Sequence, residues 1–480
     1  MRGDPSARRL GACLLALAIG VAGVSASQAA GRAGNPAPGP GSAGSAGTGD
    51  SYYPLDGNGG TDVLHYRIRD LYAFDPVRIV GETTLRVRAT QRLTSFHLDL
   101  LLPVRSVRVD DRPARFAKPQ PHELVIRPAI AIRKGERFEV TVRYAGDPSR
   151  LSYEGQRNWL ADDREVVAIN EPHIAPWWFP SNDHPSDKAR FDIAITTAAD
   201  KQVVSNGERV SRRVRGRLAT TRWRMRQPMA TYLAFFAAGH FDIRRGRSAA
   251  GVPYVTAVSR AFAPRERRGY AAVIGQTPAI TDWLTRELGR YPFASAGGVV
   301  TSLGFGDALE NQSRPTYMNS VDRSTVVHEL AHQWFGDSVS LRRWREIWLN
   351  EGFARYMEWR YAEAHGGPST RVQMHRTYAE YDGDAAFWRV RVDDPGPADI
   401  FSDSVYDRGA MALVALRDRI GAAPFHTLLR SWVASRRYGH GSIAGFERLA
   451  HHVSGHRLGA LFHTWLESPR KPAATAADGW

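Results

Sequence analysis

The sequence has 480 residues, a formal net charge of +15 and one cysteine, Cys13. Apolar residues make up 43% and charged residues 24%, which excludes a disordered chain and, with this length, predicts two or three domains. The basic residues are almost all arginine and form no block of six, so we expect no nucleic-acid partner.

The N-terminus has the three-part pattern of a secretory signal peptide over residues 1–30. Arginines 2, 8 and 9 precede an apolar run at 10–24, and small residues at 26–30 offer a cleavage site. The run is too short to span a bilayer comfortably, so we expect export and no stable membrane span after cleavage, with an uncleaved anchor as the alternative. A mature chain without Cys13 would hold no disulfide.

The next segments predict a linker followed by a β domain. Residues 31–50 are mostly Gly, Ala, Pro and Ser, which is typical of a flexible linker. Within 51–245, apolar and polar residues alternate in four stretches, at 85–89, 96–100, 107–111 and 138–144. Half-buried strands at short, even spacing predict a β-sandwich-like domain.

From about residue 250 the apolar period becomes helical. Apolar residues recur three and four positions apart in 267–288, 324–336, 348–366 and 406–421. We therefore expect a mainly helical domain over 246–470, followed by a tail at 471–480. The fold class is α+β and multidomain.

The strongest chemical motif is "HELAH", residues 328–332. His328 and His332 lie four apart, which places both imidazoles on one face of a helix. Catalytic zinc needs three protein ligands, and Glu351 on the next predicted helix is the third candidate. Glu329 would be the general base for a zinc-activated water. This donor set favours one Zn²⁺ per chain, although cobalt or manganese could bind.

Together, "HELAHQWFGDSV" and "WLNEGFARYMEW" resemble the aminopeptidase N family of zinc metallopeptidases. The resemblance extends to "PLDGNGGTDVLHY", to the segment 170–196, to "GFGDALENQSRPTY" and to "VYDRGAMALVALRDRIG", and so covers about 55–468. It implies a thermolysin-like catalytic domain after the β domain. Larger members carry a further C-terminal helical domain, so we expect a short form with a more open cleft that admits longer peptides.

The resemblance also assigns site residues. It implies that His328, His332 and Glu351 bind zinc and that Glu329 is the base. Glu310 and Glu171 would bind the α-ammonium of a peptide with a free N-terminus, and Tyr406 would donate a hydrogen bond to the oxyanion. Further residues would line the substrate pocket: Gly304, Gly306, Ala308 and Tyr317.

Several of these positions have simpler explanations. Glu310 and Glu171 could be loop residues, and Tyr406 could be a core tyrosine. Asp337 and Asn350 could orient the zinc ligands or merely lie at helix ends. Four further histidines are explained better as surface or loop residues: His173, His184, His451 and His452.

The sequence departs from the family at "DALEN", where "GAMEN" is usual. Either Asp307 replaces a glycine or the glycine has moved one place to Gly306, and the extra acid could favour substrates with basic side chains. The main hypothesis is a secreted zinc aminopeptidase that acts on peptides. The alternatives are a zinc endopeptidase or a non-peptide hydrolase of the same architecture, and a catalytically silent binding protein. The oligomeric state does not follow from the sequence.

Overall fold

A computed structural model describes residues 42–304 and 306–480. The predicted signal peptide and residues 31–41 of the predicted linker lie outside the described residues. Within the described part of the chain, no helix is both long and apolar enough to cross a membrane.

The alternating segments of the N-terminal half form strands. Each of the four alternating stretches predicted from the sequence lies mostly inside a longer strand. The apolar side chains of each stretch point to one buried face of that strand. The strands are β1 (Ser42–Ala43), β2 (Thr61–Phe74), β3 (Val77–Ala89), β4 (Leu93–Asp99), β5 (Val104–Val109), β6 (Arg112–Pro113), β7 (Arg115–Ala117), β8 (Glu123–Arg127), β9 (Arg137–Gly146), β10 (Trp159–Ala161), β11 (Val166–Ala168), β12 (Ala189–Ala198), β13 (Gln202–Ser205), β14 (Glu208–Arg215), β15 (Leu218–Met229) and β16 (Phe236–Gly239).

These strands form three sheets. The largest has the order β14-β15-β12-β2-β3-β9-β5-β6, and two four-stranded sheets have the orders β1-β4-β8-β7 and β10-β11-β16-β13. Phe96 of β4 meets Phe138 of β9 with ring centroids 5.3 Å apart, so side chains of two sheets share one core. The predicted β-sandwich-like domain is confirmed.

The C-terminal half combines a smaller sheet with helices. Within the described residues, its sheet has five strands, which lie beside the helices that carry the metal motif and, numbered in chain order from 17 to 21, are arranged 17-18-19-21-20. The elements are β17 (Phe241–Arg247), β18 (Pro253–Ser259), α1 (Pro264–Ile274), α2 (Thr277–Leu288), β19 (Ala296–Thr301), β20 (Ala308–Leu309), β21 (Thr316–Met318), α3 (Arg323–Ala331), α4 (Trp348–Ala364), α5 (Thr370–Glu380), α6 (Ala385–Arg389), α7 (Gly409–Ile420), α8 (Ala422–Ser435), α9 (Ile443–Ser454) and α10 (Gly459–Phe462).

Three helices position the site. Helix α4 packs against both α3 and α7, and a π-helical turn at Ser404–Arg408 leads into α7. The boundary predicted at 245/246 falls inside β17. That strand pairs with β18 over its whole length, so the two sheet systems divide near residue 240.

Two segments differ from prediction because they carry specific contacts. Residues 42–50 are not free linker: Asp50 is buried and accepts hydrogen bonds from the backbone N–H groups of Tyr52 (2.8 Å) and Trp344 (2.9 Å). The tail at 471–480 also packs on the fold, where the ring of Trp480 stacks on His375 with centroids 4.5 Å apart.

Candidate active site

The three predicted metal ligands converge on one point. His328 lies in α3, His332 caps the C-terminus of that helix with helical backbone angles, and Glu351 lies in the first turn of α4. The Nε2 atoms of His328 and His332 lie 3.2 and 3.3 Å from the same carboxylate oxygen of Glu351. One donor atom from each residue lies within 4.8 Å of the others, and all three residues are buried.

The outward ring nitrogens are held by acceptors. Nδ1 of His328 lies 2.7 Å from Oε1 of Glu358, and Nδ1 of His332 lies 3.0 Å from the carbonyl oxygen of Phe335. Donation from Nδ1 fixes the tautomer that leaves the Nε2 lone pair for a metal. Two imidazole nitrogens and a carboxylate with such supports fit a single catalytic Zn²⁺.

The charges around the triad agree with a cation site. Burial alone would favour neutral groups, but the charge of His332 and the hydrogen bond with His328 lower the pKa of Glu351 to about 2. Burial lowers the pKa of His328, but its hydrogen bonds with Glu351 and Glu358 outweigh this effect and raise the pKa to about 9. The electrostatic balance at this point therefore favours an ionised carboxylate facing positive charge.

Glu329 and Tyr406, the predicted base and oxyanion donor, both lie close to the metal ligands. Burial raises the pKa of Glu329 to about 8, although the charges of His328 and His332 oppose the shift. The Tyr406 ring stacks beside that of His328, with centroids 5.8 Å apart. Burial, and then the charge of Glu351, raise the pKa of Tyr406 well above its usual range, so its hydroxyl stays protonated and able to donate.

The two predicted ammonium-binding carboxylates belong to the same site. Glu310 follows β20 and accepts a hydrogen bond from the Tyr232 hydroxyl at 3.1 Å. Glu171 follows β11, and its buried Oε1 has no hydrogen-bond partner among the described residues. Burial raises the pKa of both groups, and the charge of Glu310 raises that of Glu171 further. The pair offers acceptor capacity for a cation.

A glutamine that the sequence reasoning missed joins Glu310 to the metal helix. Gln333 follows His332 and donates from Nε2 to the carbonyl oxygen of Glu310 at 2.9 Å. Its Oε1 accepts from the backbone N–H of Ser313 at 2.6 Å. This amide fixes the segment after β20 relative to the ligands.

The segment before β20 has the backbone freedom that its glycines predicted. Gly304 and Gly306 have φ values of +88° and +99°, in the left-handed region that favours glycine. Ala308 is half-buried and pairs with Tyr317, which is fully buried. Asp307 is exposed. A role of these residues in substrate contact stays a prediction.

Asp337 and Asn350 are both completely buried, and Asn350 lies in the first turn of α4, so it is a helix-end residue. Asn350 lies in α4, and Asp337 follows α3. No side-chain hydrogen bond links either to another described residue. The group that orients His332 is instead the Phe335 carbonyl. The charge of His332 does act on Asp337, lowering a pKa that burial has first raised.

The four further histidines fall into two groups. His451 and His452 lie exposed on α9, as predicted. His173 and His184 do lie in loops, but they are buried and paired with carboxylates. Nε2 of His173 lies 2.5 Å from Asp56, and Nε2 of His184 lies 3.2 Å from Asp50. The surface interpretation is wrong for these two because each has an acidic partner far away in the sequence.

Glu358 is the most important residue that the sequence reasoning missed. It lies seven residues after Glu351, a spacing that returns to the same face of a helix, so a signal was present. Tyr232, by contrast, reaches Glu310 from the turn that follows β15, and no spacing in the sequence indicates that contact.

Comparison with known proteins agrees with this geometry. A family model described as Peptidase M1 N-terminal domain matches residues 64–233, and one described as Peptidase family M1 domain matches residues 308–465. Aminopeptidase N of Lactococcus lactis subsp. lactis is 25% identical over 446 residues, which is 83% of this chain and 50% of the relative. Aminopeptidase M1-D of Oryza sativa subsp. japonica is 26% identical over 357 residues, or 68% and 39%. The chain spans half or less of the length of these curated relatives.

Among solved structures, an M1 zinc metallopeptidase of Deinococcus radiodurans, a mutant bound to a Tyr-Ser-Ala substrate, superposes with a TM-score of 0.81 at 28% identity. The match covers 89% of this chain and 99% of that one. The resemblance drawn from the motifs is thus confirmed across both halves of the chain. This protein belongs to the M1 family of zinc metallopeptidases.

Proposed function

We propose that this protein is an exported, zinc-dependent aminopeptidase that removes residues from the free N-terminus of peptides. The observation that carries the proposal is the pair Glu171 and Glu310: the buried Oε1 of Glu171 has no hydrogen-bond partner among the described residues, and the charges of Glu310 and Glu351 both act on Glu171. Buried carboxylates require compensation by positive charge. An α-ammonium supplies that charge, and an internal peptide bond does not.

Each step is assigned to a residue of this chain. His328, His332 and Glu351 would hold zinc, which when bound supplies Lewis acidity that polarises the scissile carbonyl and acidifies water. Glu329 accepts the proton of the attacking water and delivers it to the leaving nitrogen. Tyr406 donates its hydroxyl hydrogen bond to the oxygen on which negative charge develops.

Structural relatives support the peptide substrate. Besides the Deinococcus radiodurans structure with Tyr-Ser-Ala, two-domain M1 zinc metallopeptidases have been solved with L-tryptophan and with L-arginine, at TM-scores of 0.81 and 0.79. A site that accepts one free amino acid and a short peptide suits stepwise removal of N-terminal residues. Export rests on the signal pattern at residues 1–30.

The test offers the purified protein one peptide in two forms, N-terminally free and N-acetylated, and identifies the products by mass spectrometry. We expect stepwise loss of single residues from the free form only. Internal cuts in both forms would instead indicate an endopeptidase. No cleavage of either form by zinc-loaded protein would indicate a non-peptide hydrolase or a silent binding protein.

Two isosteric variants test the ammonium pair. Glu310→Gln and Glu171→Gln should each lower kcat/KM for the free peptide by roughly four- to tenfold, since an ion-paired hydrogen bond of about 1.5–3 kcal/mol becomes one about half as strong. Glu363→Gln, on α4 where its carboxylate pairs with Arg417 at 3.1 Å, is the matched control and should retain activity. Unchanged kcat/KM in both test variants would remove the ammonium role.

The predicted preference for basic residues has a separate test. If exposed Asp307 favours a basic first side chain, Asp307→Ala should reduce turnover of an N-terminal Arg substrate relative to a Leu substrate. An unchanged ratio of Arg to Leu turnover after the substitution would refute the predicted preference and leave the aminopeptidase proposal unaffected.

A further inference from the structure

A second cluster of metal-ligating side chains lies in the N-terminal β domain, apart from the catalytic triad. Asp99 is the last residue of β4 and Glu123 the first of β8, and the antiparallel register places them directly opposite each other. His122 precedes Glu123. One donor atom from each of these three residues lies within 4.8 Å of the others. Like charges directly opposite in a sheet are unfavourable without compensation.

The cluster is buried, and each carboxylate has one oxygen without a hydrogen-bond partner among the described residues. Asp99 is 1% exposed, and Glu123 and His122 are each 2% exposed. Oδ2 of Asp99 accepts from the Asn58 side chain at 2.9 Å and from the backbone N–H of Asp183 at 2.7 Å. Oδ1 of Asp99 has no hydrogen-bond partner in the part of the chain that the structure describes.

Glu123 is arranged in the same way. Its Oε2 lies 2.8 Å from Nδ1 of His97. Its Oε1 makes no hydrogen bond within residues 42–304 and 306–480, and it faces Nε2 of His122 at 3.5 Å. Each carboxylate thus has one oxygen held by a donor and one without a hydrogen bond in that part of the chain, as in a metal ligand with an outer support. Nε2 of His122, which also lies 3.2 Å from the Tyr153 hydroxyl, would complete the donor set.

The charged groups that act on Asp99 are mostly acidic. Burial, and then the charges of Asp183 and Glu123, raise the pKa of Asp99 well above its usual range. His173 lies nearby, but its Nε2 is already paired with Asp56. A proton or a cation must therefore compensate the carboxylates of this cluster.

We propose that Asp99, His122 and Glu123 hold a second divalent cation. One imidazole nitrogen with two carboxylate oxygens favours Zn²⁺ or Mn²⁺ over Ca²⁺ and Mg²⁺, which prefer oxygen ligands alone. The role of the ion is structural. It joins β4 to β8 and, through the backbone N–H of Asp183, reaches the loop that follows Glu171.

The loop connection extends toward the substrate side. The Asp183 side chain accepts from the Thr231 hydroxyl at 2.5 Å, and the next residue, Tyr232, donates to Glu310. The cluster thus braces the segments that carry the proposed ammonium site without touching the reacting atoms. The inference does not depend on the proposed aminopeptidase activity.

The test measures metal content per chain in the full-length protein by inductively coupled plasma mass spectrometry. Wild type should contain two equivalents. His122→Gln should contain one equivalent, and so should His332→Gln, because each variant loses a different site. His65→Gln is the matched control, because His65 also pairs with a carboxylate, Asp192 at 3.0 Å, but belongs to no ligand cluster. It should retain two equivalents.

A second measurement covers the case in which His122→Gln does not fold. Chelator-treated His332→Gln protein, whose second cluster is intact, is titrated with Zn²⁺, Mn²⁺ or Ca²⁺ while its thermal midpoint is followed. We expect a rise with Zn²⁺ or Mn²⁺ and none with Ca²⁺. One metal per wild-type chain together with no rise for any ion would overturn the proposal and leave a proton as the compensating charge. A rise with Ca²⁺ alone would overturn the assigned class of ion.

Discussion

Replacing Glu358 by glutamine tests whether the outer support of His328 sets the zinc affinity. The Glu358 carboxylate accepts from Nδ1 of His328 at 2.7 Å and from the Ser324 hydroxyl at 2.6 Å, and it pairs with Arg355 at 3.1 Å. Despite burial, the charge of Arg355 and the hydrogen bond from His328 lower the pKa of Glu358 to about 2, so it acts as an anion. Glutamine keeps the shape and removes the charge.

The magnitude follows from the change in hydrogen-bond type. A hydrogen bond to a charged group contributes about 1.5–3 kcal/mol and a neutral one about 0.5–1.5 kcal/mol. The expected loss at His328 is therefore about 1–1.5 kcal/mol, or roughly five- to tenfold weaker zinc binding. Such a loss meets the lower end of the roughly 10- to 100-fold effects typical of outer-shell carboxylates.

The assay is competition for zinc against a fluorescent chelator, with peptidase activity measured at limiting and at excess zinc. Excess zinc should restore most of the activity of Glu358→Gln, because the lesion acts through affinity. Glu363→Gln on the same helix is the control. Zinc affinity within twofold of wild type in a folded Glu358→Gln protein, or an equal loss in the control, would refute the reasoning.

Three further predictions test the metal, the helix packing and the surface charges. Removal of zinc by a chelator should abolish peptidase activity, and Zn²⁺ but not Mg²⁺ should restore it, because imidazole ligands suit Zn²⁺. Gly352→Ala should lower the thermal midpoint, because the added Cβ would lie 3.0 Å from Cα of Gly409. In an unobstructed helix, alanine is more stabilising than glycine by about 1 kcal/mol, so a higher midpoint would contradict this prediction. Hydrogen bonds from His65 and Arg224 lower the pKa of Asp192 to about 2. The ionised carboxylate therefore stabilises the folded protein fully above the unfolded-state pKa near 4, and this stabilisation is lost as the pH falls through 2. Because Asp192 is partly exposed, urea unfolding should show Asp192→Asn less stable by about 1 kcal/mol or less at pH 5, with the gap closing near pH 2.

The metal-ligand triad could be predicted because each part of it belongs to a local motif. A helical repeat brings His328 and His332 to one face, and the motif around Glu351 identifies the third ligand before any tertiary contact is known. The strands of the β domain were predictable for a similar reason, since a period of two is a local property.

The remaining features depend on register and on long-range contacts. Asp99 and Glu123 lie opposite each other only because β4 and β8 pair in one particular register. Asp50 appears in a Gly- and Ala-rich segment whose composition predicts a linker, yet its carboxylate binds the backbone N–H of Trp344, almost three hundred residues away. Composition cannot reveal a contact of that kind.

The distribution of charge in the active site explains why it would select a cationic substrate terminus. Five glutamate carboxylates converge there, where burial and then neighbouring charges shift the pKa of each: Glu171, Glu310, Glu329, Glu351 and Glu358. Zinc would compensate the negative charge around Glu351, and a substrate ammonium would compensate the charge of the pair Glu171 and Glu310. Because Glu171 comes from the β domain and Glu310 from the catalytic domain, neither domain alone would form the complete ammonium site. Exopeptidase specificity would then depend on how the two domains pack, and Glu171→Gln removes the charge that the β domain contributes to it.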